Sequence, residues 1–166
     1  MRIGFWLFAL SLSLGQGTAR PDFSGTWTYV AESSTVTQPA PNFSVRAASF
    51  GMEFTAKQDS GTLTIEMVSG QTRSTTTYKF DGGETISTRP GGAGQPDLKV
   101  VTTASWNDAI LTIRSVSEPV WQGKPTKAEL IRTIRLEKDG TMVIDTENRV
   151  TPPPKIPKTT SVYRKK

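Results

Sequence analysis

"FTAKQDSGTLTIEM", residues 54–67, alternates apolar and polar side chains on both sides of a Gly-containing turn. Alternation with period two marks strands that bury one face. A slip of one residue sends every side chain to the opposite face, so the length of the turn can be solved for. A two-residue loop at Ser60-Gly61 sets Phe54 opposite Met67 and Ala56 opposite Ile65 on one face. It leaves Thr55 opposite Glu66, with Lys57 diagonal to it, on the other. An odd loop sets Phe54 against Glu66. The stretch therefore predicts a hairpin with an even loop.

The same reasoning extends along the chain. Short runs rich in Thr, Val, Ile and aromatics predict strands near 23–30, 46–57, 62–68, 71–80, 84–89, 98–106, 109–116, 127–137, 141–148 and 159–165. An even loop at Asn107-Asp108 sets Ala104 across from Leu111 and Trp106 across from Ala109. At Lys138-Asp139-Gly140 a three-residue loop is required, with Gly140 in the left-handed position, to pair Leu136 with Met142 and Ile134 with Ile144. The segment 31–44, with Pro39 and Pro41, is expected to be a long loop. The predicted inward set is Phe23, Trp27, Tyr29, Phe54, Ala56, Leu63, Ile65, Met67, Tyr78, Phe80, Ala104, Trp106, Leu111, Ile113, Leu130, Ile134, Leu136, Met142 and Ile144. Thr76, Thr102, Arg132 and Thr146 share those faces. About ten strands of this kind predict an all-β fold, an antiparallel up-and-down meander that closes and so removes its exposed edges.

Ahead of this pattern, Arg2, the apolar run Ile3–Leu14 and the small residues Gly17-Thr18-Ala19 have the layout of a secretory signal peptide. About a dozen apolar residues fall short of the roughly 20 that a membrane span needs. Residues 1–19 are expected to be cleaved, leaving a single domain over 20–166 that is exported to the periplasm or the extracellular space. The formal charge is +5, yet Arg20 to Asn148 carries 13 basic and 15 acidic residues, so the surplus sits in the C-terminal stretch from Arg149. Such a tail offers peripheral contact with anionic envelope surfaces or stands as a solvated end; no nucleic-acid partner and no membrane span are expected.

"FSGTW" at 23–27 places a Gly-x-Trp in the first strand, and "SVYRKK" at 161–166 supplies a closing strand. In these features the chain resembles the small secreted lipocalin-like, or calycin-type, proteins of bacteria. That resemblance implies a lipocalin-like barrel in which Trp27 plugs one end, Gly25 permits close approach of the backbone, and Arg164 stacks on the tryptophan. The Thr-Asp-Tyr loop of typical lipocalins and their disulfide are missing from the sequence.

The chain contains no His and no Cys, which removes the usual zinc and copper ligands, the Ser-His-Asp relay and the thiol nucleophile. "GGAGQP" lacks the Lys-Ser/Thr of a phosphate loop. Glu53 and Glu66, the carboxylates available for hydrolytic chemistry, fall on outward faces. The chain is read as non-catalytic, with no metal and no cofactor. Arg132 departs from the pattern, because it shares a face with Leu130, Ile134 and Leu136 and a charge there is costly unless paired or hydrated. Three readings stand: an anchor for an anionic head group in the lumen, an arginine at the mouth reaching water, or a partner stacked under Trp27. Arg132, Tyr78, Trp106, Thr102 and Thr146 are the candidate ligand-binding residues. Trp121 caps an entrance, sits in an interface or folds back on the rim. The expected function is to hold a small apolar or amphipathic ligand in the lumen. The alternative is a packed barrel acting as an envelope or protein-interaction module through its outer surface and basic tail.

Overall fold

The computed structural model describes residues 20–37, 48–90, 96–121, 123–151 and 158–166. Residues 1–19, on which the leader reading falls, lie outside the described residues, as do 38–47 of the expected loop and strand. The described residues form thirteen strands: β1 (Gly25–Tyr29), β2 (Thr35–Thr37), β3 (Glu53–Gln58), β4 (Thr62–Ser69), β5 (Thr72–Lys79), β6 (Thr85–Arg89), β7 (Leu98–Asn107), β8 (Ile110–Ser117), β9 (Val120–Trp121), β10 (Lys124–Pro125), β11 (Lys127–Leu136), β12 (Met142–Thr151) and β13 (Lys158–Lys165). Among the described residues there is no α-helix, and one short 3-10 turn spans Ala31–Ser33.

Eleven of these strands form one antiparallel sheet, ten of them in the order β5-β4-β3-β1-β13-β12-β11-β8-β7-β6 and β2 as a branch on β13. The first and last strands in sequence meet, with Trp27 beside Lys165 and Tyr29 beside Tyr163. At the other seam β5 and β6 share no ladder, although β5 packs near β7. The result is a nearly closed up-and-down barrel. The segment after β1 is more ordered than a plain loop, because β2 adds to β13 through Val36 and Thr159. The expected strand over 46–57 begins only at Glu53.

Turn chemistry sets the registers. Phe54 pairs with Met67, Ala56 with Ile65 and Thr55 with Glu66, as the even loop requires, and Lys57 Nζ reaches Glu66 Oε1 at 2.8 Å. Leu136 pairs with Met142 and Ile134 with Ile144, with Gly140 at φ +82°. The β7–β8 hairpin corrects the expected register by two residues: Trp106 pairs with Leu111 and Ala104 with Ile113. There the loop is Asp108-Ala109, and Asp108 takes the positive φ of 52°, which aspartate accepts more readily than most side chains. A slip of two preserves the faces, so the predicted inward set still points inward.

That interior is densely packed at one end. Phe23, Trp27, Phe54, Leu63, Ile65, Leu111, Ile113, Ile134, Met142 and Ile144 are fully buried, with Trp106 and Phe80 packed against them. Phe23 stacks on Trp106 with ring centroids 5.5 Å apart, and Trp27 Nε1 donates to the Phe23 carbonyl at 2.8 Å. Phe50 and Tyr163 complete the core and lie outside the predicted set.

Candidate functional site

On four strands the inward residues change character midway along the barrel. Leu111 and Ile113 give way to Ser115 and Ser117 on β8, and Trp106 and Ala104 to Thr102 on β7. Ile134 gives way to Arg132 on β11, and Met142 and Ile144 to Thr146 and Asn148 on β12. Large hydrocarbon side chains fill one half of the barrel, and smaller or polar ones, with Val100, Leu130 and Val150 among them, leave space in the other. A cavity of about 310 Å³ occupies that second half. Arg132, Tyr78 and Thr102 line it, together with Ser49, Phe50, Arg89 and Leu130.

A floor separates the two halves. The segment 48–52, between β2 and β3, inserts the Phe50 side chain into the barrel at 2% exposure, while Met52 stays outside at 65%. Tyr163 Oη accepts from the Phe50 N–H at 3.0 Å and donates to the Gly51 carbonyl at 3.2 Å. Ser49 Oγ lies 2.7 Å from Thr146 Oγ1 and 3.0 Å from Ser161 Oγ. Every one of these partners comes from the inward face of β12 or β13, so two strands hold the floor. Burial pushes the Tyr163 phenol up to about 12, against the opposing pull of the Phe50 N–H.

Arg132 sits on this floor, its guanidinium 5.2 Å from the Phe50 ring centroid. Its side chain retains surface accessible from the cavity, yet protein surrounds it on nearly every side. Its Nε is buried without a hydrogen-bond partner among the described residues, and no described carboxylate forms an ion pair with it. Glu129 also lines the cavity, but Arg114 and Arg149 engage its carboxylate. Burial holds the Arg132 pKa below its ordinary value; Tyr78 opposes that shift and the charge of Arg89 adds to it. Burial likewise raises the Tyr78 phenol, while Arg132 and Arg89 pull it back. The cavity thus presents two guanidiniums, Arg132 and Arg89, that no described carboxylate pairs, since Glu129 is engaged by Arg114 and Arg149.

The remaining site candidates fall elsewhere. Thr146 is buried beneath Ser49, on the floor rather than in the lining. Trp106 lies in the packed end against Phe23 and Phe80, with the Arg20 guanidinium 5.7 Å from its ring. Thr102 Oγ1 bonds Ser115 Oγ at 2.9 Å across the β7–β8 ladder. Arg164 is replaced at the barrel end: it pairs with Thr28 and is exposed, whereas Lys165 shares the inward face of Trp27 and holds its Nζ 5.9 Å from that ring. Period two alone decides this, since positions 163 and 165 point inward and 164 does not. Arg132 is therefore at neither the mouth nor the Trp27 end. The Trp121 side chain lies outside the described residues. The described part of the basic tail is the end of β12, β13 and Lys166, where Lys158 pairs with Glu147 at 3.2 Å and Lys166 with Glu53.

Phe50, Ser49 and Arg89 are the site residues that sequence reasoning missed. For Arg89 the signal is present, because it lies two residues beyond Ser87 on the same face of β6. Residues 48–52 carry no period-two signal, since they form no strand.

No protein-family model matches the chain, and neither does any curated protein. Among solved structures it is similar to a protein described as the REP1-NXSQ fatty acid transporter, with 18% identity, TM-score 0.53, and coverage of 86% of this chain and 95% of that one. A single-substitution mutant of that transporter aligns with 16% identity and TM-score 0.50, covering 86% and 97%. Human cRBP IV aligns with 17% identity and TM-score 0.51, covering 88% of this chain and 99% of that one. The fold is that of the lipocalin/calycin barrels.

Proposed function

We propose that the chain is an exported, non-catalytic carrier that holds a small amphipathic molecule in its barrel, with an anionic head on Arg132. The observation that carries this reading is a guanidinium without a carboxylate partner among the described residues, facing a cavity at the level where the interior stops being hydrocarbon. A charge in such a place is costly on its own, and an anionic ligand offsets that cost through charge-assisted hydrogen bonds. Similarity to a fatty acid transporter and to cRBP IV supports binding in a barrel of this kind. Export rests on the leader-like layout of residues 1–19 and on nothing in the described structure.

Native mass spectrometry of protein purified gently from cells that secrete it tests both parts. The expected result is a chain beginning at Arg20 that carries a small organic molecule released by solvent. A chain retaining residues 1–19 in the cytosol removes export from the reading. Protein that stays empty when offered carboxylic acids of graded length removes the carrier role.

A further inference from the structure

The proposed carrier site contains a second cation that an anchor for one head group does not use. Arg89, the last residue of β6, lines the same cavity as Arg132 and is exposed at its edge. Neither guanidinium is in an ion pair among the described residues. Their charges act on each other, and both act on the Tyr78 phenol. The rest of the lining is mixed: the hydroxyls of Ser87, Thr102, Ser115 and Ser117 alternate with Met67, Val100, Leu130 and Val150, and Glu129, whose carboxylate Arg114 and Arg149 engage, also borders it. Pockets for drug-sized, mostly apolar ligands run from roughly 300 to 1,000 Å³, and this one is at the lower limit. A long hydrocarbon tail has no room to extend past the cavity, since the hydrocarbon end of the barrel is filled by Phe23, Trp27 and Trp106 and shut off by Phe50.

We infer that the cavity takes a compact molecule with two separated anionic groups, one held by Arg132 on the floor and the other by Arg89 at the mouth. The hydroxyl lining serves the polar middle of such a molecule, and the Phe50 ring gives it one flat apolar contact. This inference rests on the carrier reading and narrows its ligand from amphipathic molecules in general to short dianions.

Isothermal titration calorimetry on the purified full chain with terephthalate, benzoate, phenyl phosphate and laurate tests it. Terephthalate is expected to bind about tenfold or more tightly than benzoate, the gain of one further charge-assisted contact. Arg89→Gln, an exposed change at the end of a strand, is expected to remove that advantage by weakening terephthalate severalfold more than benzoate. Arg132→Gln is expected to weaken both aromatic acids by about tenfold or more. Equal affinity for terephthalate and benzoate overturns the inference, and so does an advantage that survives Arg89→Gln. Phenyl phosphate binding as tightly as terephthalate overturns the separation of the two charges. Laurate binding while terephthalate is silent overturns the short dianion and leaves the carrier reading standing. If no probe binds, both readings fall.

Discussion

Arg132 and Tyr163 show how single side chains divide between stability and use. The Arg132 Nε is buried and unbonded among the described residues, so in the empty protein this side chain costs free energy. Arg132→Met keeps an unbranched apolar stem in place of the arginine stem and removes the guanidinium with its charge. It is expected to raise stability in urea by about 1–3 kcal/mol, the usual scale for relieving an unsatisfied buried polar group. The same variant is expected to lose affinity for carboxylates by about 1.5–3 kcal/mol, the worth of a charged hydrogen bond. An Arg132→Met protein that is less stable than wild type and binds normally removes Arg132 from the site. Tyr163 works in the opposite sense. Its phenol binds two backbone groups of the floor, and Tyr163→Phe is expected to cost about 1–3 kcal/mol at neutral pH. Its folded pKa of about 12 lies above the ordinary 10.0, so its proton-linked stability is complete below pH 10 and is lost as pH rises through 12. The stability gap between wild type and Tyr163→Phe is therefore expected to narrow over that window, in denaturation curves taken at a series of alkaline pH values. A gap that widens with pH contradicts the assigned environment.

At the scale of elements, the sequence is informative where a turn and two alternating strands constrain each other. Loop parity at Ser60-Gly61 and at 138–140 determines both face and partner, and those pairs occur. At Asn107-Asp108 parity determines only the face. Two-residue loops shifted by one position change the register by two and bury the same side chains, and the positive φ of Asp108 makes the choice. Residues 48–52 are illegible for another reason: they are held by side chains of β12 and β13, remote in sequence, and no local pattern records that. The packed and open halves are legible in principle, in the change from Leu111 and Ile113 to Ser115 and Ser117. Gly25 reads as a place of close approach, and the visitor is the Lys165 side chain. A Cβ there would lie 2.3 Å from Lys165 Cε, at a φ of +134° that L residues rarely adopt. Gly25→Ala is expected to destabilise the protein by more than about 1 kcal/mol. Adding Lys165→Ala is expected to recover little, because the lysine tip can move and the backbone conformation cannot. Full recovery in the double variant would assign the cost to the clash instead. Thermal unfolding of the single and double variants beside wild type decides between the two.

For the whole molecule, the incomplete closure between β5 and β6 governs how the cavity communicates with solvent. Every other neighbouring pair in the barrel is joined by a ladder, from β5 round to β6. β6 is short and exposed along most of its length, with Ile86 at 58% exposure. Thr76 and Tyr78 of β5 and Ser87 and Arg89 of β6 all line the cavity, so the seam and the mouth coincide. Strands with one unpaired edge and few buried contacts open at low free energy, while the strands around Trp27 and Ile144 open only near the global limit. Hydrogen–deuterium exchange of the empty protein is expected to be fastest in β6, slower in β5 and slowest in β1 and β12. A ligand that binds only the folded, closed arrangement stabilises it by mass action. Saturation with a bound carboxylate is therefore expected to slow exchange in β5, β6 and residues 48–52 by holding the seam closed, and to slow the globally exchanging amides around Trp27 and Ile144 by the gain in global stability. Protection confined to the globally exchanging amides, with none in β5, β6 and residues 48–52, would mean that the ligand stays bound when the seam opens and does not contact it. Uniform protection over all ten strands would mean that exchange proceeds through global unfolding, and that the seam between β5 and β6 is as firmly closed as the rest of the barrel.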